Sequence, residues 1–222
     1  MIQFEKIYTI FVSKFPSLVN GVVVTLRLAM WTVLFGTVLG IIIAVLRRMK
    51  FAPIRWVVSA YVAFIRGTPL LVQVLLFVYG LPQLGVRLPR ELISIFALVF
   101  NSGAYMAEII RAGIQAIDRG QNEAAESLGM TRVKTMIYII LPQAVKTTLP
   151  AMGNEFIVII KESSILYAVG IYELTYQANK IASTNYLYIE TMLVAALIYF
   201  VLTYVCSKLL SLLERWMRRS ER

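Results

Sequence analysis

LAMWTVLFGTVLGIIIAVL, residues Leu28 to Leu46, runs for nineteen positions without a charged side chain and stops at Arg47-Arg48-Met49-Lys50. A helix rises about 1.5 Å per residue, so the roughly 30 Å hydrocarbon layer of a bilayer takes about twenty apolar residues. The stretch therefore reads as a membrane-spanning helix with a basic stop at one end. Four further runs have the same character: Trp56 to Leu81, Leu92 to Ile110, Thr147 to Ile160 and Thr191 to Leu213. The second is interrupted by Arg66-Gly67-Thr68-Pro69 and closed by Pro82, and the fifth contains only Lys208. The expectation is an all-α membrane protein of about five transmembrane helices, one domain over residues 1–222. Six is the competing count, because Ile165 to Ile171 suits a short membrane-dipping piece.

The composition agrees. Of 222 residues, 59% are hydrophobic and 15% charged, where a soluble domain carries about a quarter charged. Lys and Arg number 22 against 12 Asp and Glu, a formal charge of +10. These basic residues fall between the apolar runs rather than along one face, which is the pattern of membrane topology and not of nucleic-acid binding. Histidine is absent and Cys206 is the single cysteine, which excludes a zinc cluster, a Ser-His triad and an intrachain disulfide. No GxxxxGK[ST] occurs, so this chain does not hold ATP in a P-loop.

Orientation follows from the basic residues. Segments 47–55, 111–146 and 214–222 share one side and include Arg47, Arg48, Arg55, Arg111, Arg119, Arg215, Arg218, Arg219 and Arg222. The other side holds Lys6, Lys14, Arg87, Arg90, Lys161 and Lys180. Positive charge favours the cytoplasm, which gives a cytoplasmic C-terminus and, with five crossings, an outside N-terminus. The lead-in, about residues 1–20, is not read as a cleavable signal because Glu5, Lys6 and Lys14 interrupt any apolar core. Its Ile7, Phe11 and Phe15, four apart, either line a helix lying on the membrane surface or belong to a frayed segment. No internal repeat is visible, so two-fold symmetry about a central pathway calls for a second chain.

The most informative stretch lies between the third and fourth runs. Residues 118–132 read DRGQNEAAESLGMTR, with helix formers at Glu123, Ala124, Ala125, Glu126 and Leu128. Asn122 is the expected N-cap, Glu123 and Glu126 suit the first turn, and Gly129 suits a left-handed stop. The product is a short polar helix joined at each end to a membrane span. Its spacing is Glu123-Ala124-Ala125, three residues, Gly129, nine residues, then Ile139-Ile140-Leu141-Pro142. This resembles the EAA loop of bacterial ABC importer permeases. NSGAYMAEIIRAGIQAIDRGQNEAAESLGM, LPQAVKTTLPAMGNEFIVIIKESS and FIRGTPLLVQ (Phe64 to Gln73) resemble the polar amino acid uptake subfamily in particular.

The resemblance implies an ABC type I importer permease fold, in which this loop is a coupling helix docking on a separate ATPase. Glu123, Ala124, Ala125 and Gly129 match the motif. It further implies a multi-pass protein of the bacterial inner membrane with a second permease chain, identical or related. Two ATPase subunits carrying ATP and magnesium and an extracytoplasmic binding protein complete the set, and the cargo is a polar or charged amino acid or cystine. No cofactor or metal is expected in this chain, and it is not expected to be an enzyme.

Polar residues inside the spans are functional candidates, because ionisable groups in hydrocarbon cost several kcal/mol unless they face protein or water. Glu155, beside Asn154 and Gly153, sits near the middle of the fourth run. Its carboxylate can pair with the ammonium or guanidinium of a substrate, or with Arg111 in a static salt bridge. Asn101 offers a donor and an acceptor for an interhelical bond or a substrate, and Gly103 allows close approach. Glu108 and Arg111, three apart, can pair with each other. Pro69 and Gly67 predict a kink, a hinge or gate element, with Arg66 reaching toward headgroups. The reading from another class is an ATP-independent carrier or channel that uses Glu108 and Glu155 for coupling.

Overall fold

The structure is a computed structural model that describes residues 4–219. Met1 to Gln3 of the lead-in, Arg222, and the side chains of Arg218 and Arg219 lie outside the described residues. Helix α1 (Phe4–Ser13) gives way at Lys14 to α2 (Phe15–Leu46), whose first turn contains Pro16; proline lacks only an N–H that a helix start leaves free. The lead-in therefore divides at Lys14, and residues 15–20 already belong to the first span. It is not frayed, since Ile10 is buried with Leu18, Leu174, Ile181 and Val194.

Two ion pairs fix α2 against α5 (Arg90–Gln115). Arg27 Nη2 donates to Glu91 Oε1 at 2.5 Å near one end, and Arg47 Nη1 donates to Glu108 Oε1 near the other. Between them Gly40 lies so close to Met106 that an added Cβ would come to 2.5 Å of its Cβ. The two helices thus run side by side in the same direction, and the chain between them must recross the slab. Arg27 and Arg47 are twenty positions apart, about 30 Å of helix, which matches the expected apolar run. Residues 15–27 extend α2 beyond that layer and pack on α8 (Leu174–Asn185).

The recrossing is made by α3 (Ala52–Gly67) and α4 (Leu70–Gln83), bent by 111° at their junction. The anticipated kink is therefore a full break. Arg66 approaches Glu108, Gln73 bonds Asn101, and Val78 clusters with Ile93 and Ala97. These contacts set α4 antiparallel to α5. Pro82 stands in the last turn of the run, which ends at Gln83. A π-helical turn, Leu76–Gly80, immediately precedes Leu81-Pro82, and another, Met136–Ile140, immediately precedes Leu141-Pro142. A proline ring clashes with the carbonyl four residues back, and the wider turn relieves that clash.

Helix α6 (Arg119–Ser127) links α5 to a short turn, Arg132–Thr135, and then to α7 (Leu141–Glu162). Thr148 lies against Gly113 and Glu155 against Ser102, so α7 is antiparallel to α5. The final helix, α9 (Tyr188–Arg219), packs Val194 beside Leu18 and Leu210 against Gly153. Among the described residues α2, α5 and α9 are long and apolar enough to cross a membrane, and α3–α4 makes a fourth if the bent pair is one span. Helix α7 is the fifth by position. It is less apolar than the others because it carries Lys146, Asn154, Glu155 and Lys161. Ile165 to Ile171 is no sixth span: Ser163–Val169 is a 3-10 turn ending at Gly170 (φ 78°), and Leu166, Val169 and Ile171 pack with Leu28, Val74 and Ile93.

A band of apolar residues is left on the outside of the bundle. Trp31, Leu34, Phe35, Val38 and Val45 of α2 are exposed, as are Leu197, Phe200, Val201 and Leu209 of α9. Patches of this extent on a soluble surface drive association.

Candidate functional site

The break at Thr68-Pro69 is braced by a side chain that sequence reasoning quoted but did not single out. Pro69 lacks the N–H that would bond the Ile65 carbonyl in a continuous helix. Gln73 Nε2 supplies the missing donor, at 2.8 Å from Ile65 O and 2.8 Å from Thr68 Oγ1. Gln73 Oε1 in turn accepts from Asn101 Nδ2 at 2.9 Å, and both side chains are buried. Asn101 thus makes the interhelical bond and holds α4 to α5. Gly67 has open space around it, so the loose side of the break is unpacked while its polar side is clamped.

Glu108 collects three guanidiniums. Arg47 and Arg111 donate to it, Arg111 with Nη2 at 2.7 Å, and Arg66 lies 3.7 Å away. Arg66 also stands over the Tyr105 ring, 5.7 Å from its centroid. The expected Glu108–Arg111 pair is present, enlarged to a cluster that ties α2, α3 and α5 at one level. Arg66 belongs to that cluster while its side chain stays about half exposed.

Glu155 is treated in the opposite way. It is 9% exposed, near the depth of Gly36 and Ser102, and among the described residues its side chain accepts one long hydrogen bond, from Ser102 Oγ at 3.5 Å. Arg111 is engaged by Glu108 and Gln115, so the static Glu155–Arg111 bridge does not form. No described cation lies within ion-pair distance of Glu155. Asn154, its neighbour, is exposed, and Gly103 is filled by α2: a Cβ there would meet Leu39 Cδ2 at 2.6 Å. The anticipated group therefore separates, with Asn101 and Gly103 serving helix packing and Glu155 left under-partnered. Another buried carboxylate, Glu173, caps α8 by accepting from Thr175 N and Tyr176 N and from Tyr199 Oη. Its position before a helix start in the sequence was the signal that could have found it.

Helix α6 forms earlier than the sequence suggests. Its N-cap is Asp118, whose Oδ1 accepts from Gly120 N at 2.6 Å, and not Asn122. An aspartate at the start also complements the helix dipole. Gly129 has φ 76°, and Met130 N donates to Ala125 O at 3.0 Å, closing the helix in a Schellman-type stop. Ala125 is buried within its own chain, whereas Glu123 and Ala124 are exposed. The largest apolar group offered outward is Leu128, 83% exposed, a residue the motif reading passed over. Gln143 Nε2 reaches Gln121 Oε1 at 3.2 Å and ties α6 to the start of α7.

The sequence profile of the binding-protein-dependent transport system inner membrane component matches residues 36–219. The chain belongs to that family. It is similar to the arginine transport system permease protein ArtQ of Bacillus subtilis, 36% identical over 211 residues that cover 95% of this chain and 96% of the relative. It is also similar to the L-cystine transport system permease protein TcyB of Bacillus subtilis, 38% identical over 212 residues, covering 93% and 89%. Among solved structures, a chain of an amino acid ABC transporter with histidines is 49% identical with a TM-score of 0.91, covering 97% of this chain and 99% of that one. A chain of the inward-facing MetNI methionine ABC transporter is 21% identical with a TM-score of 0.78, covering 92% and 98%, and shares the fold.

The chain is thus a membrane permease component of an ABC transport system with the type I importer fold, and ATP hydrolysis belongs to a separate subunit. The family works with ATPase and binding-protein partners. The ATP-independent carrier is not favoured. Among the described residues no group of three or more acidic or cysteine side chains is placed to hold a metal ion.

Proposed function

We propose that this permease pairs with a second permease chain, identical or related, and that the pathway for a polar or charged amino acid, or cystine, runs between them. Two ABC ATPase subunits, which hold ATP and magnesium, dock on the two copies of α6. An extracytoplasmic binding protein delivers the substrate. The N-terminus is outside and the C-terminus lies in the cytoplasm of a bacterium, as the basic residues at the α6 end favour. Closure of the ATPase dimer pushes α6, and the push passes to α5 and α7.

The observation that carries this reading is α6 itself: nine residues capped at both ends, continuous with two spans, and presenting Glu123, Ala124 and Leu128 outward. Ala125 sets the spacing of α6 from its own chain, and Gly129 sets the turn that follows. Glu155 receives the substrate ammonium or guanidinium at mid-depth, with Asn154 beside it on the exposed face. Arg66, Gly67 and Pro69 form the hinge, whose travel is limited by the Gln73–Asn101 clamp. The test is crosslinking from Leu128→Cys in a Cys206→Ser background, in proteoliposomes that take up labelled amino acid with ATP. A crosslink to the ATPase in the active assembly is expected; none in an active assembly overturns the docking role.

A further inference from the structure

The coupling motif leaves unexplained why so many arginines meet at the α6 end. A cavity of about 800 Å³ opens there, lined by Arg47 and Arg48 at the end of α2, Arg55 on α3, Arg111 on α5 and Arg119 on α6. Arg47 and Arg111 are engaged by Glu108. The guanidiniums of Arg48, Arg55 and Arg119 have no ion-pair or hydrogen-bond partner among the described residues. Glu108 offsets one of the five charges and four remain around one hollow. Like charges gathered this way repel one another, so the arrangement favours an anionic occupant. Asn122 adds a neutral donor and acceptor to the wall.

We propose that this cavity binds the phosphate group of an anionic phospholipid headgroup. Guanidinium forks match phosphate oxygens in paired hydrogen bonds. The depth fits a lipid source: the cavity begins at Ala44 and Arg47, where the charge-free run of α2 ends, and Ile114 and Ile140 supply apolar wall for the glycerol stem. Because its walls come from α2, α3, α5 and α6, an occupant braces the coupling helix against three spans. This inference needs only that the arginine-rich end lies in a headgroup layer, and it holds whatever the chain transports.

The test is native mass spectrometry of the full-length chain with phosphatidylglycerol, and with phosphatidylcholine for comparison. The wild-type chain should retain phosphatidylglycerol about tenfold more strongly, and Arg48→Gln/Arg55→Gln/Arg119→Gln should lose about tenfold of that preference. Arg132→Gln/Lys134→Gln/Arg215→Gln removes the same charge outside the cavity and should change it less than about twofold. Thermal melting checks the fold, and Arg55→Gln alone, expected to lose about threefold, serves if the triple variant melts early. Equal retention of the two lipids, or equal loss in both triple variants, overturns the proposal. Displacement of phosphatidylglycerol by inorganic phosphate well below millimolar concentration would assign the cavity to a soluble phosphate and overturn the lipid source.

Discussion

Glu108 and Glu155 are both carboxylates among apolar helices, and the molecule surrounds them in opposite ways. Glu108 has three guanidiniums within 3.7 Å, drawn from α2, α3 and α5. Glu155, deeper and more buried, has one serine hydroxyl at 3.5 Å. A buried charge left without a partner is costly. A fold able to gather three arginines around one glutamate leaves the other open. The difference separates a fastening from an open site: Glu108 ties α2, α3 and α5 at the arginine-rich end, whereas Glu155, the residue proposed to receive the substrate cation, has no described cation within ion-pair distance.

Substitutions can break that contrast, ranked by their effect on stability. Glu108→Gln strips the charge that three guanidiniums share and should lower stability by about 3 kcal/mol, read as a drop in melting temperature of the detergent-solubilised chain. Gln73→Leu removes the donor that replaces the missing Pro69 N–H and orphans Ile65 O and Asn101 Nδ2. It should cost about 1–3 kcal/mol by the same measurement. Gly129→Ala puts a Cβ on a left-handed backbone, for about 1 kcal/mol. Its larger consequence should be ATPase turnover that no longer follows substrate delivery. Glu155→Gln should leave stability unchanged or raise it by up to about 1 kcal/mol, since the amide can keep the serine contact and no longer buries a charge without a partner. If Glu155→Gln melts as early as Glu108→Gln, the contrast between the two carboxylates fails.

The sequence carried the architecture where the signal was composition. The charge-free run at Leu28 to Leu46 corresponds to the slab between the Arg27–Glu91 and Arg47–Glu108 pairs. The loop helix and its glycine stop were legible because capping chemistry and motif spacing are local. What escaped depends on three-dimensional neighbours. Gln73 looked like an ordinary polar residue until Pro69 and Asn101 came beside it. Gly103 looked available to a ligand until Leu39 filled its space. The break lies where Pro69 and Gly67 stand, but its 111° size, with Arg66 beside Glu108 and α4 turning back along α5, is not expressed by a proline pattern.

The central claim is that Glu155 is held open for the cationic group of a substrate. ATP-driven uptake of labelled arginine and glutamine, into proteoliposomes holding equal amounts of assembled wild-type or Glu155→Gln complex, tests it most directly. Losing a buried charge-assisted contact should reduce uptake at limiting substrate by about thirtyfold or more, with the complex intact and ATP still hydrolysed. Uptake at the wild-type rate across the same concentrations would contradict the account and return Glu155 to the scaffold.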